Sequence, residues 1–201
     1  MPAPLPDRPL PGEATPSEID AAQMVDPGAP GIFLSWNDVR YVVTEEKKPK
    51  TILHGVSGSV APGEMMAIMG PSGCGKSSLL NILAQRRGED DGASGKLNIN
   101  GAPYPETFRR LSGYVTQDFQ FFEFLTVRET LTIAARLTLP SSVSSSEKLV
   151  RVDKLLGDLD LTKAADTMIG SATRPELGGI SGGERRRLCI GMALMNDPPL
   201  L

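Results

Sequence analysis

A capping box, the pairing of Ser or Thr with a Glu three residues later, precedes each of two apolar stripes in the second half of the chain. Thr126 and Glu129 form the first box, and Ser144 and Glu147 form the second. The stripes that follow have helical spacing and comprise Val127, Leu131 and Ala134, then Leu149, Val152, Leu155, Leu156 and Leu159. We predict a helix for each stripe, and a last helix over Gly182–Met195.

Shorter apolar runs in the first half predict strands. One or two strands are expected over Ile32–Val43, a short strand pair over Thr51–Val60, a buried strand over Met65–Met69, and further strands over Lys96–Ile99 and Gly113–Thr116. The charged stretch Glu45–Lys50 predicts a hairpin loop, and Ser77–Arg87 predicts a helix with Leu79, Leu80 and Leu83 on one face. Strands followed by helices indicate an α/β domain that carries an inserted helical portion.

Composition divides the 201 residues into a tail and one domain. The first 30 residues hold eight of the 17 prolines and few large apolar side chains. Such a segment buries too little surface to offset its ordering entropy, so we expect a disordered tail over residues 1–31 and a folded domain over residues 32–201. A proline-rich docking segment is the alternative, although no P-x-x-P pair is flanked by basic residues.

Charge and cysteine content exclude several classes of protein. A net charge of −3 argues against a general nucleic-acid binder, which would present a basic face. No apolar run is long enough to span a membrane, and the N-terminus lacks the pattern of a secretory signal. Two distant cysteines indicate a reducing compartment, and a single histidine excludes a multi-histidine metal site.

The segment from Gly70 to Ser77 matches the pattern G-x-x-x-x-G-K-[ST]. Glycines allow consecutive backbone N–H groups to surround phosphate oxygens, and the helix that follows directs its positive end at the same place. Lys76 would supply a charge for the outer phosphates, and the Ser77 hydroxyl would bind Mg²⁺. An apolar run before the loop and an amphipathic helix after it favour this interpretation over a simple glycine-rich turn.

Cys74 lies inside this loop and admits two interpretations. A thiol close to a helix N-terminus can have a lowered pKa and react readily. Alternatively, Cys74 is a small side chain that fits the turn. Both interpretations place this residue beside the phosphates.

A second glycine motif, Gly178-Gly-Ile-Ser-Gly-Gly-Glu-Arg-Arg-Arg187, opens the last predicted helix. Ser181 and Glu184 have capping-box spacing, so the serine can cap its own helix. The same geometry exposes the N–H groups of Gly182 and Gly183, which suit an anion. The three consecutive arginines suggest either a role with phosphate or a partner, or a solvated face.

Taken together, these motifs resemble the G (White-type) subfamily of ATP-binding cassette (ABC) transporters over about residues 32–201. The segments that carry the resemblance are Ser35-Trp36 with Tyr41, Gly63–Gly73, Gly113-Tyr-Val-Thr-Gln-Asp118, and Gly179–Arg187, where Ile-Ser-Gly-Gly-Glu stands for the usual L-S-G-G-Q signature. The resemblance implies a P-loop NTPase (ABC-type ATPase) core of α/β class, with an antiparallel β subdomain and an inserted helical subdomain.

It also implies a nucleotide-binding domain for ATP and Mg²⁺ that pairs head-to-tail with a second such domain, as a homodimer or a heterodimer. The expected nucleotide contacts are Gly70, Pro71, Ser72, Gly73, Cys74, Gly75, Lys76, Ser77 and Ser78, with Ser181, Gly182 and Gly183 on the ATP of the opposite subunit. Ser77 and Gln117 would contact Mg²⁺, and Gln117 and Lys76 would serve catalysis.

Two aromatic features have open assignments under this resemblance. Tyr41 would stack on adenine, although it or Trp36 can equally belong to the core. Four phenylalanines lie between Phe119 and Phe124, and they suit either a local core or the apolar surface that receives the coupling helices of a transporter.

The family's Walker B strand, an apolar run that ends in Asp-Glu, has no counterpart here, and Asp197 precedes its expected place. We therefore expect a domain cut before Walker B, with hydrolysis nearly lost and stability marginal. The intact protein would carry a downstream transmembrane domain and lie on the cytoplasmic side of a membrane, where it would drive export. A soluble ABC ATPase is one alternative, and membrane helices encoded downstream would exclude it. A non-catalytic regulatory fragment is the other, and co-purification with an intact partner would test it.

Overall fold

A computed structural model describes residues 31–45, 48–88, 91–117, 119–171 and 178–201. The predicted tail lies outside the described residues, apart from Gly31 at its end. The elements of the described chain form two hydrophobic cores, one beneath a sheet and one among helices. None of the described helices combines the length and the apolar character that crossing a membrane requires.

The sheet has four antiparallel strands in the order β2-β1-β3-β4. The strands are β1 (Leu34–Glu45), β2 (Lys48–Val60), β3 (Ala93–Ile99) and β4 (Ala102–Pro103). In the register of β1 with β2, Leu34 pairs with Val60 and Tyr41 pairs with Leu53. The strand pair predicted for Thr51–Val60 is thus one longer strand. The strands also extend into the predicted loop Glu45–Lys50, because Lys48 already pairs with Glu45.

Helix α1 (Lys76–Leu83) packs on this sheet and completes the first core. Leu79, Ile82 and Leu83 are buried, whereas Leu80 is 44% exposed. The prediction that placed Leu80 on the buried face was wrong, because Ile82 occupies that face instead. The helix is also shorter than predicted, since it ends at Leu83 and not at Arg87.

The second core is helical. Its elements are α3 (Val127–Thr138), α4 (Ser145–Asp158), a 3₁₀ turn (Thr162–Ala164) and α5 (Gly182–Ala193), while the short α2 (Phe108–Leu111) precedes them. Val127, Leu131, Val152, Leu156 and Leu188 are almost completely buried. The predicted stripes are therefore confirmed, except that Leu149 is 46% exposed.

Capping boxes begin all three of the long helices in this core. Thr126 with Glu129, Ser144 with Glu147, and Ser181 with Glu184 each make both reciprocal hydrogen bonds. The boxes satisfy two otherwise unpaired donors at each helix start, which is why these boundaries could be read from the sequence.

Two predicted strands are absent from the described structure. Met65–Met69 forms no strand, and Met65 and Met69 are 98% and 86% exposed. Gly113–Thr116 forms none either, although Ser112 makes an isolated parallel bridge with Leu200. A strand requires a neighbour along its length, and the described chain supplies these segments with only that single bridge.

Candidate functional site

The loop at residues 70–77, which we call the phosphate-binding loop, connects the exposed Met65–Met69 segment to α1. Gly75 is the residue before α1 and adopts a left-handed conformation, with φ of 94°. A Cβ at this position would lie 2.9 Å from Leu53 Cδ2 and 3.2 Å from the Ile52 carbonyl oxygen. The turn therefore requires glycine both for its backbone angle and for its close approach to β2.

Lys76 lies across this loop. Its Nζ donates to the carbonyl oxygens of Gly70 at 2.9 Å and Pro71 at 2.7 Å, and it lies 3.8 Å from Cys74 Sγ. These contacts hold the ammonium group against the loop. The exposed hydroxyl of Ser77 and the half-buried Ser78 begin the helix directly behind it.

The N-terminus of α1 differs from that of the other long helices. Its N-cap residue, Gly75, has no side chain to accept a hydrogen bond, and its first turn contains no acidic residue. By contrast, α3, α4 and α5 each have a capping box with a glutamate in the first turn. The positive end of α1 therefore has neither a capping side chain nor an acidic residue of its own helix against it, which suits an external anion.

Across the described ranges, no three His, Cys, Asp or Glu side chains are close enough together to hold a metal ion. A divalent cation at this loop would therefore need oxygen ligands from a bound phosphate in addition to the Ser77 hydroxyl, which is the usual situation for Mg²⁺.

The signature segment (residues 178–187) places its serine at the start of α5. Ser181 Oγ accepts from the Glu184 amide at 3.2 Å, and the Ser181 amide donates to Glu184 Oε2 at 2.7 Å. Hydrogen bonds from the Ser181 side chain, and then from its amide, lower the pKa of Glu184, and the charge of Arg187 lowers it further. The serine is thus a cap, while Gly182 and Gly183 beside it stay exposed.

The three arginines of the signature segment bind backbone carbonyls of neighbouring loops. The acceptors are Ile169 and Gly170 for Arg185, Thr116 for Arg186, and Asp160 for Arg187. The arginines thus connect α5 to three separate loops of the domain. These bonds do not test the suggestions made from the sequence, which were a role with phosphate or a partner, or a solvated face.

Gln117 is exposed and directly follows Thr116, the residue that accepts from Arg186. The helix that begins with the signature serine is therefore attached to the segment that carries Gln117. This connection was missed in the sequence, where only the run of arginines hinted at it.

The aromatic residues divide between core and surface. Tyr41 is 4% exposed and lies in the core of the sheet, with the Arg87 guanidinium 5.6 Å from its ring centroid, which supports the core alternative over stacking on adenine. Phe121 packs against the helical core, whereas Phe122 and Phe124 are 80% and 85% exposed. Phe121 thus supports the core alternative, while the role of the exposed rings as a surface for coupling helices stays a prediction.

Comparison with known proteins identifies the family of the chain. The sequence model of a protein family described as "ABC transporter" matches residues 53–201. "ABC transporter G family member 22" from Arabidopsis thaliana is 42% identical over 198 residues, which cover 94% of this chain and 26% of the relative. "Broad substrate specificity ATP-binding cassette transporter ABCG2" from Bos taurus is 47% identical over 179 residues, which cover 85% of this chain and 27% of that protein.

A solved structure shows the same fold. The ATP-binding cassette MJ0796, solved as a dimer in a post-hydrolysis state with ADP and Pi, superposes with a TM-score of 0.64 at 24% identity. The superposition covers 83% of this chain and 72% of that one. The fold is therefore that of a P-loop NTPase of the ABC type.

The chain has a glycine-rich loop at the uncapped start of α1, an antiparallel sheet and a helical core. This combination is that of the nucleotide-binding domains found in ATP-binding cassettes. The chain belongs to the ABC transporter family, and its curated relatives are members of the G subfamily. It spans about a quarter of the length of those relatives.

Proposed function

We propose that the chain binds ATP with Mg²⁺ at the phosphate-binding loop. The observation that carries this proposal is the open N-terminus of α1, where a glycine cap and a first turn without acid leave the helix dipole available. Lys76 adds a positive charge at the same place. The site therefore favours a ligand with several adjacent negative charges, such as a triphosphate. The glycine cap, the first turn without an acidic residue and the Lys76 ammonium group all contribute to this preference.

Each residue of the loop has a proposed part in this binding. Backbone amides between Gly70 and Ser78 surround the phosphates, and Lys76 leaves the carbonyls of Gly70 and Pro71 to contact the outer ones. Ser77 contributes its hydroxyl to Mg²⁺. Gln117 contacts Mg²⁺ and the attacking water, from a segment that Arg186 attaches to α5.

Calorimetric titration of the purified chain with ATP tests the proposal, once with Mg²⁺ and once with EDTA. We expect saturable binding with Mg²⁺ and weaker binding without it. If a folded sample shows no saturable binding of MgATP, the proposed function is wrong.

We further propose that two such domains pair with ATP between them, so that Ser181, Gly182 and Gly183 contact the nucleotide held by the opposite subunit. Both the loop and this surface are exposed in the monomer. They also belong to different cores, since α1 packs under the sheet and α5 packs among the helices. The related ABC cassette was solved as a dimer, which supports this arrangement.

Replacing Ser181 with arginine should weaken MgATP-dependent dimerisation by at least about tenfold, because a long cation would occupy the surface that faces the opposite subunit. Sedimentation velocity with and without MgATP measures the dimer fraction. Ser144→Arg is a matched control, since Ser144 is also an exposed capping-box serine but lies at the start of α4. An equal loss in both variants would trace the effect to the lost cap and would contradict the proposed interface.

The two relatives named above are transporters. We propose that in a complete transporter this domain lies on the cytoplasmic side of a membrane and couples ATP hydrolysis to export. The exposed Phe122 and Phe124 supply an apolar surface for its transmembrane domain.

A further inference from the structure

A recess of about 440 Å³ lies at the C-terminal end of α1, at the opposite end of that helix from the phosphate-binding loop. It is lined by Ala84, Arg86, Arg109, Ser112 and Tyr114. Two of its five lining residues are arginines, and none is acidic. None of the residues already assigned to nucleotide binding takes part in it.

Arg86 is held in position by an aromatic ring. Its guanidinium carbon lies 4.1 Å from the ring centroid of Tyr114. The ring is itself fixed, because Tyr114 OH donates to Asn81 Oδ1 at 2.8 Å. Stacking of this kind leaves the edge of the guanidinium, with its N–H donors, free to bind an anion.

Arg109 is held in position by a backbone carbonyl. Its Nε donates to the Gln85 oxygen at 3.2 Å, and its Nη2 donates to the same atom. Gln85 has φ of 52°, a left-handed conformation that glycine usually takes after a helix. The end of α1 therefore directs a carbonyl at Arg109, which fixes the guanidinium and leaves Nη1 without a bond to that carbonyl.

Neither arginine has an acidic partner within the described ranges. The ion pairs found there involve other residues, and no carboxylate lines the recess. Arg87 and Arg110 follow them in the sequence, but neither lines the recess. Two guanidiniums, each held in position at the same recess and without a counter-ion from the described chain, are arranged to bind an external carboxylate.

We propose that this recess is a docking site for the acidic side chain of a polypeptide partner, with Arg86 and Arg109 as the residues that recognise the carboxylate. A guanidinium binds a carboxylate through two parallel hydrogen bonds, and the recess is large enough for the side chain and the backbone next to it. An anionic membrane surface is a poorer match, because a broad, flat surface does not enter a recess as a single side chain does.

The docking site lies on the segment that carries Gln117, since Tyr114 precedes that residue by three positions. A partner seated there would contact the ring of Tyr114 and the Arg86 guanidinium that covers it. The proposal does not rest on nucleotide binding, because the recess and the phosphate-binding loop share no residue.

The direct test is an NMR titration of the chain, in which the arginine Nε–Hε signals are followed. The probe is a short glutamate-rich peptide, and its glutamine counterpart serves as the neutral comparison. We expect the signals of Arg86 and Arg109 to shift saturably with the acidic peptide only. Equal shifts with both peptides, or shifts spread over all arginines, would overturn the proposal.

Substitutions of the two arginines provide a second test of the docking site. Arg86→Gln and Arg109→Gln should each weaken peptide binding by about tenfold, the value of one charge-assisted contact. Arg110→Gln is the matched control, since it removes the same charge from the adjacent exposed position and should change affinity little. Inorganic phosphate and vesicles that contain phosphatidylserine complete the comparison. If vesicles or phosphate bind through Arg86 and Arg109 more tightly than the peptide does, the polypeptide assignment is wrong.

Titration with MgATP distinguishes this proposal from the proposed function. Arg86→Gln and Arg109→Gln should bind MgATP as the unmodified chain does. If both variants bind MgATP normally and also bind the peptide normally, the docking site is refuted and the nucleotide site is unaffected.

Discussion

Replacing Lys76 with alanine should lower the affinity for MgATP by about 100-fold. The ammonium group is the only side-chain cation within the loop at residues 70–77, and it is held there by the carbonyls of Gly70 and Pro71. Each charge-assisted hydrogen bond to a phosphate contributes about 1.5–3 kcal/mol, so the loss of two such bonds at the low end of that range, about 3 kcal/mol, corresponds to a change of this size. Isothermal titration calorimetry measures it.

Two further variants separate charge from position. Lys76→Arg keeps the charge, but it should recover only part of the affinity because a planar guanidinium replaces a compact ammonium in a tight turn. Lys154→Ala removes an exposed lysine charge from α4 and should bind MgATP normally. An unchanged affinity in Lys76→Ala, with circular dichroism showing a normal fold, would refute the role assigned to this lysine.

The helices of this domain could be predicted because their signals are local. A capping box and an apolar stripe lie within one or two turns of each other, so Thr126 with Glu129 and Ser144 with Glu147 marked α3 and α4 correctly. Whether the apolar run Met65–Met69 forms a strand could not be decided from such local signals, and the predicted strand is absent from the described chain. The apolar run is genuine, but a strand also requires a neighbour that a short window of sequence does not reveal.

The same distinction applies to the site. The phosphate-binding loop could be proposed from the sequence because the chemistry predicted for it resides in backbone amides, which glycine spacing reports directly. The hydrogen-bond acceptor of Arg186 could not be predicted from the sequence, because the carbonyl of Thr116 lies 70 residues away. The recess at Arg86 and Arg109 was missed for a similar reason, because α1 and α2 meet only in the folded chain.

An apolar groove of about 660 Å³ predicts where a further strand would bind. Its lining includes Leu34, Trp36, Val60, Met66, Ile68, Leu83, Phe108 and Leu200. Leu200 already begins a parallel pairing, because the Gly113 amide donates to its oxygen at 2.8 Å and its own amide donates to the Leu111 oxygen at 3.3 Å. A strand that continued from this point would run between the exposed Met65–Met69 segment and the Gly113–Thr116 segment, and it would give both of them the neighbour they need.

A chain that continues beyond Leu201 with such an apolar strand should therefore be more stable than the 201-residue chain by about 6–12 kcal/mol. This estimate takes about four buried apolar side chains at about 1.5–3 kcal/mol each. A whole domain is stable by only about 5–15 kcal/mol, so the shorter chain should be marginal and its exposed methionines should promote aggregation. Urea unfolding of the two chains measures the difference, and an extension of equal length built from serine and glycine controls for chain length. A sharp, reversible transition of the 201-residue chain well above about 45 °C, unchanged by the apolar extension, would show that the groove needs no strand.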